Sequence, residues 1–254
     1  MKKKLQSTVN RLIPLTAVAV LLFFWQIMYM AGVLPAYMLP SPLQVVAALV
    51  GDFSLLLHHM ETTLLEAFAG LAIGIVSGFL VAALMEHSSG LNRALYPLLV
   101  ITQTVPTVAI APLLVLWMGY GAAPKITLVV IVTFFPIAVG LLDGFKTADR
   151  DAVRLLQAMG ASPFQIFWHI KLPGSLNHFF AGVRISVSYA IVGAVISEWL
   201  GGFQGLGVYM TRVKKSYSYD KMFGVIFLIT AMSLALMKLV DLIQWSVMPW
   251  NRKE

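Results

Sequence analysis

The sequence predicts an all-α membrane protein of about six transmembrane helices, and three observations carry that reading. Of its 254 residues 59% are hydrophobic and only 11% charged, whereas a soluble domain carries about 25% charged residues. Six apolar segments approach the roughly 20 residues needed to cross a bilayer. In two of them small residues recur every fourth position, the spacing that lets helix backbones approach closely in lipid.

The first segment follows Lys2-Lys3-Lys4 and runs from Leu12 to Met30. It is longer than a signal-peptide core and no small-residue cleavage site follows, so an uncleaved first span is expected. The others run from Thr62 to Met85, Leu95 to Met118, Ile126 to Leu142, Phe179 to Leu200 and Met222 to Val247. An even number of spans leaves both termini on one side. Placing them inside gathers Lys2, Lys3, Lys4, Arg11, Arg93, Lys146, Arg150, Arg154, Lys171, Arg184, Arg252 and Lys253 in the cytoplasm. Only Lys125, Arg212, Lys214, Lys215 and Lys221 are left outside, so the positive-inside rule favours cytoplasmic termini. The Arg212–Lys215 run reads as a solvated charge cluster, with a partner or an anionic solute as the alternative. The net charge of +7 sits at segment ends, which points to lipid headgroups and not to nucleic acid. No cysteine is present, which excludes disulfides, thiol nucleophiles and thiolate metal sites.

Span 2 carries Gly70, Gly74, Gly78 and Ala82 on one face, and span 5 carries Gly182, Ser186, Ala190 and Ala194. Both stripes are expected to be packing seams. Span 3 is interrupted by Pro97, Pro106 and Pro112, with Thr102-Gln103-Thr104 beside the middle one. A proline removes a backbone donor, and such helices persist in membranes where protein or a water-lined cavity satisfies the freed carbonyls. Gln103, Thr104, Pro106 and Pro112, with Glu198 at the end of span 5, are therefore pathway or gate candidates; an ordinary kinked helix is the alternative.

Residues 143–178 form a long inner loop with helical grammar. Ala152, Leu155, Leu156 and Met159 make an apolar stripe opposite Asp149, Arg150, Asp151 and Arg154. Gly160 stands where a helix-ending left-handed residue belongs. In Ser162-Pro163-Phe164-Gln165 the serine caps, the proline occupies the first helical position and the glutamine completes a capping box. The second helix presents Phe164, Phe167 and Trp168 and is expected to stop at Pro173-Gly174. The pair reads as a rigid knob for a protein groove, or alternatively as an interfacial helix lying in headgroups.

No catalytic set is visible, and no Gly-x-x-x-x-Gly-Lys-Ser/Thr phosphate loop exists, so ATP hydrolysis would have to come from another chain. The glycine-rich stretch 201–207 is expected to be a flexible outer turn. His58, His59 and Glu61 do not converge as metal ligands, and no metal or other cofactor is expected. Lys238 and Asp241, three apart, are expected to pair. Glu66, an ionisable group in a span, reads as a functional residue or simply reaches water near its helix end, and Glu198 reads as either a gate contact or a solvated cap.

Gly160, nine intervening residues and Ile170-Lys171-Leu172-Pro173 match the second half of the EAA loop of binding-protein-dependent ABC importer permeases. The family's Glu-Ala-Ala falls on Arg154-Leu155-Leu156, so a basic residue stands where an acidic one is usual. Leu39-Pro40-Ser41-Pro42, Ala111-Pro112-Leu113-Leu114 with Trp117-Met118-Gly119-Tyr120-Gly121, Phe134-Phe135-Pro136-Ile137, and Glu198-Trp199-Leu200 with Gly205-Leu206-Gly207 follow in family order. Together they resemble the sulfonate, taurine and nitrate permease subfamily. Gln103-Thr104-Val105-Pro106 and Gly119-Tyr120-Gly121 are similar to members importing pyrimidine precursors of thiamine. The resemblance implies a type I importer permease fold over 1–254 as one membrane domain, with 143–178 as a cytoplasmic coupling loop. It implies docking of an ATPase through Arg154, Ala158, Gly160, Ala161, Ser162, Pro163, Ile170, Leu172 and Pro173. The implied partners are ATP-binding subunits, an extracytoplasmic solute-binding protein, a second permease copy and the lipid of a bacterial inner membrane. A stand-alone ion-coupled transporter is the rival reading; it would require paired broken helices and an essential buried carboxylate.

Overall fold

The computed structural model describes residues 2–35 and 37–251. Arg252 and Lys253, counted above, lie outside the described residues, as do the side chains of residues 2–12, 14 and 15. Every regular element of the described chain is helical: α1 Lys2–Met30, α2 Pro42–Gly51, α3 Phe53–His87, α4 Ser89–Thr104, α5 Thr107–Met118, α6 Ala122–Lys146, α7 Arg150–Ala158 and α8 Pro163–Ile166. A π turn, Phe167–Lys171, leads into α9 Leu172–Leu200, followed by α10 Leu206–Lys215, α11 Tyr219–Val247 and a short 3-10 turn at Pro249–Asn251. Segments α3, α6, Pro163–Leu200 and α11 are each long and apolar enough to cross a membrane. The α4–α5 pair qualifies as one broken span bent by 96°, and the apolar part of α1, Thr16–Met30, is shorter.

The chain divides into two compact units, residues 1–57 with 210–228 and residues 58–209 with 229–254. In the first, Ser41 caps α2 through a capping box with Gln44. The Trp25 indole donates to the Pro40 carbonyl at 3.0 Å and lies against Phe223 and Phe227. Lys221 pairs with Asp52 at 2.7 Å.

The second unit is built on close helix contacts that its small residues permit. Gly70, Gly74 and Gly78 of α3 face Val129, Thr133 and Ile137 of α6 in step, with so little room that a Cβ at Gly70 or Gly74 would collide with the facing side chain. Gly182 of α9 lies against the Pro136 carbonyl, and Gly140 and Gly144 of α6 lie against His178 and Ser175. The Ser186 hydroxyl donates to the Thr133 carbonyl at 2.8 Å. The two predicted stripes are therefore packing seams, both facing α6.

Span 3 is broken rather than kinked. Pro106, without an N–H, stands at the N-cap of α5 after an extended Val105, and the hydroxyls of Thr102 and Thr104 take the Leu99 and Ile101 carbonyls near the end of α4. The expected stop at Pro173-Gly174 does not occur. The Leu172 N–H reaches back five residues to Phe167, and the wide turn places Pro173 in the first turn of α9, where a missing donor costs little.

Candidate functional site

Three places in the second unit gather the chemistry. At the C-terminal end of α9, Glu198 is 1% exposed, although its position at a helix end allowed a solvated cap. One carboxylate oxygen accepts the Thr63 hydroxyl at 2.7 Å and the other the Gly207 N–H at 2.6 Å. The Leu206 N–H donates to Thr63 at 2.9 Å and the Gly205 N–H to His59 Nδ1 at 3.0 Å. That nitrogen therefore carries no proton. Three successive backbone donors at the start of α10 are thus satisfied by side chains of α3 and α9, the orphan groups of a helix N-terminus. The glycine stretch is pinned, not loose: Gly205 has φ +121° and a Cβ there would strike the Glu198 carboxylate. Beside it Lys125 and Glu66 form a buried ion pair at 2.7 Å, and among the described residues Glu66 Oε2 has no hydrogen-bond partner. Glu66 does not reach water because α6 delivers a cation to it.

At the opposite end of α9 lies the 143–178 loop. Lys171 and Glu198 are 27 positions apart in the sequence, roughly 40 Å at helical rise. The α7 helix is capped by Asp149 and ends in a Schellman turn. The Ala161 N–H bonds the Leu156 carbonyl and the Gly160 N–H bonds Gln157, with Gly160 at φ +81°. Ser162 and Gln165 form the reciprocal capping box. Among the described residues Arg154 pairs with Asp151 alone, at 3.7 Å. Leu155 (62% exposed), Met159 (73%), Phe164 (72%) and Trp168 (54%) stand out of the protein, with the Phe164 and Trp168 rings stacked. Ala158, Ser162 and Pro163 are exposed too, while Ala161, Ile170, Leu172 and Pro173 are half-buried. Ile166 and the Phe145–Phe167 contact anchor the knob from below, and Lys171 pairs with Glu86 of α3.

Between these ends, two cavities lie along α6 and α9. One of 180 Å³ is lined by Thr102, Gln103, Val105, Thr107, Ile131, Val132, Tyr189, Val192, Gly193 and Ile196. The other, of 350 Å³, is lined by Gln103, Phe135, Pro136, Val139, Gly140, Asp143, His178, Ala181, Gly182, Ile185 and Tyr189. Gln103 and Tyr189 belong to both. Of the five pathway candidates Gln103 alone lines these cavities; Thr104 and Pro106 make the break that carries it, Pro112 lies inside α5, and Glu198 belongs to the buried cluster. Tyr189 was missed because a tyrosine inside an apolar span gives no local signal. The expected Lys238–Asp241 pair is absent: Asp241 accepts from Arg184 of α9 at 2.7 Å, and Arg184 also donates to Gln244. A cross-helix guanidinium with two acceptors displaces an i,i+3 contact worth only a few tenths of a kcal/mol.

Residues 70–253 match the family described as the binding-protein-dependent transport system inner membrane component. The chain belongs to that family. It is 38% identical over 228 residues to a probable ABC transporter permease protein of Haemophilus influenzae, covering 90% of this chain and 93% of that one. It is 37% identical over 219 residues to the formylaminopyrimidine transport permease protein ThiX of Halalkalibacterium halodurans, covering 86% and 88%. The inward-facing MetNI methionine ABC transporter shares the fold, with a TM-score of 0.69 and 20% identity over 78% of this chain and 98% of that one. The protein is accordingly a multi-pass permease subunit of an ABC importer that works with a separate ATPase and a solute-binding protein. The stand-alone secondary-transporter reading is not favoured by this membership.

Proposed function

We propose that two copies of this permease, forming one membrane domain each with cytoplasmic termini, enclose a pathway for an uncharged pyrimidine and dock one ATPase each through the 143–178 loop. The observation that carries the docking is the exposed apolar knob. Leu155, Met159, Phe164 and Trp168 are held out on an elbow whose backbone is locked at Gly160 and Ser162. Exposed aromatics on a rigid frame are what an interface hot spot requires. The departure at Arg154 puts an exposed cation where the acidic residue is usual, so docking rests on the shape and burial of the apolar side chains rather than on an acidic contact. ATP hydrolysis belongs to the partner, and closure of the two ATPases would move the elbows as rigid levers.

A second copy is supported by the exposure of Gln103 and Tyr189 on a single bundle. A glutamine amide facing hydrocarbon is costly, and a facing copy would supply the missing wall. An uncharged solute is supported by the cavity lining, which contains Asp143 and His178 but no Lys or Arg. A sulfonate or nitrate would cross it without a compensating cation. The name of the ThiX relative points to the same solute class.

Replacing Leu155 and Trp168 together by serine is expected to abolish co-purification of the ATPase while the permease stays in the membrane; retained ATPase would contradict the docking. The ligand that co-purifies with the partner binding protein is expected to be an aminopyrimidine, and a sulfonate there would overturn the solute assignment.

A further inference from the structure

We infer that Gln103 and Tyr189 form the solute-reading pair of the pathway, the tyrosine ring taking the face of a planar nitrogen heterocycle and the glutamine amide its hydrogen-bonding edge. The assignment rests on the reading of the chain as an importer of an uncharged pyrimidine.

Four observations converge on these two side chains. Of the residues lining the 180 Å³ and 350 Å³ spaces, these two alone belong to both. Tyr189 stands near the middle of α9 and Gln103 just before the break at Pro106, so the pair is set back from both bundle ends. Neither side chain has a hydrogen-bond partner among the described residues, although Thr102 and Thr104 on either side of Gln103 spend their hydroxyls on their own helix. The threonines are thereby made compatible with an apolar surround, while the glutamine keeps a free donor and a free acceptor in one plane. Around the pair stand Ile131, Val132, Phe135, Pro136, Val192 and Gly193; the other polar side chains lining the two spaces are Thr102 and Thr107 in the smaller and Asp143 and His178 in the larger.

The chemistry that fits is specific. A primary amide offers N–H and C=O side by side, the complement of a ring nitrogen next to an exocyclic amine, which is how glutamine reads an aminopurine edge. An aromatic ring supplies stacking to the same planar solute without requiring charge. A tetrahedral sulfonate presents neither a stacking face nor a donor edge, so the pair also discriminates against it. Contacts of this kind are weak enough to release the solute, as a conduit requires.

The test uses the complete complex of permease and ATPase in proteoliposomes, with the solute-binding protein loaded with radiolabelled formylaminopyrimidine and, separately, taurine as the sulfonate probe. Tyr189→Ala and Gln103→Leu are each expected to lower formylaminopyrimidine uptake by about tenfold or more, the scale of one lost stacking or bidentate contact. Tyr189→Phe, which keeps the ring, is expected to stay within about threefold of wild type. Retained ATPase co-purification and an unchanged melting temperature establish that each variant is folded. If folded Tyr189→Ala and Gln103→Leu transport formylaminopyrimidine at the wild-type rate, or if Tyr189→Phe loses as much as Tyr189→Ala, the pair is overturned while the importer reading stands. If wild type carries taurine and no formylaminopyrimidine, the pyrimidine reading fails and the pair falls with it.

Discussion

The two ends of the second unit are held by opposite means. At the α9 C-terminus, polar side chains from three helices are buried and bonded, mostly across long sequence separations: Glu66 with Lys125, Glu198 with Thr63, and His59 with Gly205, with the nearer Gly207 N–H also held by Glu198. At the α9 N-terminus the elbow is made almost wholly by local bonds, the Asp149 cap, the Gly160 turn and the Ser162 box, and its large apolar side chains face outward. One end is closed by its own residues. The other presents a preformed apolar surface, the one that the proposed ATPase docking would cover. In that proposal the asymmetry matters, because a lever transmits force only if its shape is fixed before its partner arrives.

Substitutions sharpen the contrast in descending order of effect. Lys125→Met strands the Glu66 carboxylate inside the protein and is expected to cost about 3–5 kcal/mol, read as a large drop in melting temperature in detergent. A variant as stable as wild type would show that the pair is not what closes this end. Gly205→Ala places a Cβ against Glu198 in a left-handed backbone and is expected to cost about 1–3 kcal/mol, again by melting. At the other end, Leu155 and Trp168 together changed to serine should leave the melting temperature of the isolated permease within the ±0.5 kcal/mol typical of surface positions; a large loss would mean the knob is part of the core. Smallest of all, Arg154→Ala breaks an exposed pair worth about 0–1 kcal/mol and should change neither stability nor ATPase co-purification appreciably.

The sequence made the loop end legible and the other end largely illegible, for a physical reason. Caps, a left-handed glycine and an amphipathic stripe are local patterns, so Gly160, Ser162 and the stripe through Leu155 could be read directly. So could the glycine seam of α3, because its four-residue period is a property of one helix. The same letters, Ser-Pro-x-Gln, also stand at Ser41-Pro42-Leu43-Gln44 and form the same capping box at α2. By contrast, the partner of Glu66 lies 59 residues away and that of Glu198 135 away. Only helix packing brings them together. The pairing assigned to Lys238 and Asp241 failed likewise, since proximity along one helix said nothing of Arg184 on another. Pro173 was misjudged as a stop because a π turn, which has no simple residue signature, absorbed it.

The most direct test of the account is the amount of ATPase that co-purifies with Gly160→Glu permease, measured beside the melting temperature of the permease itself. The account predicts a permease that remains folded in the membrane but retains at least about tenfold less ATPase, a change of ~1.4 kcal/mol or more. A folded Gly160→Glu permease carrying its full complement of ATPase would contradict it.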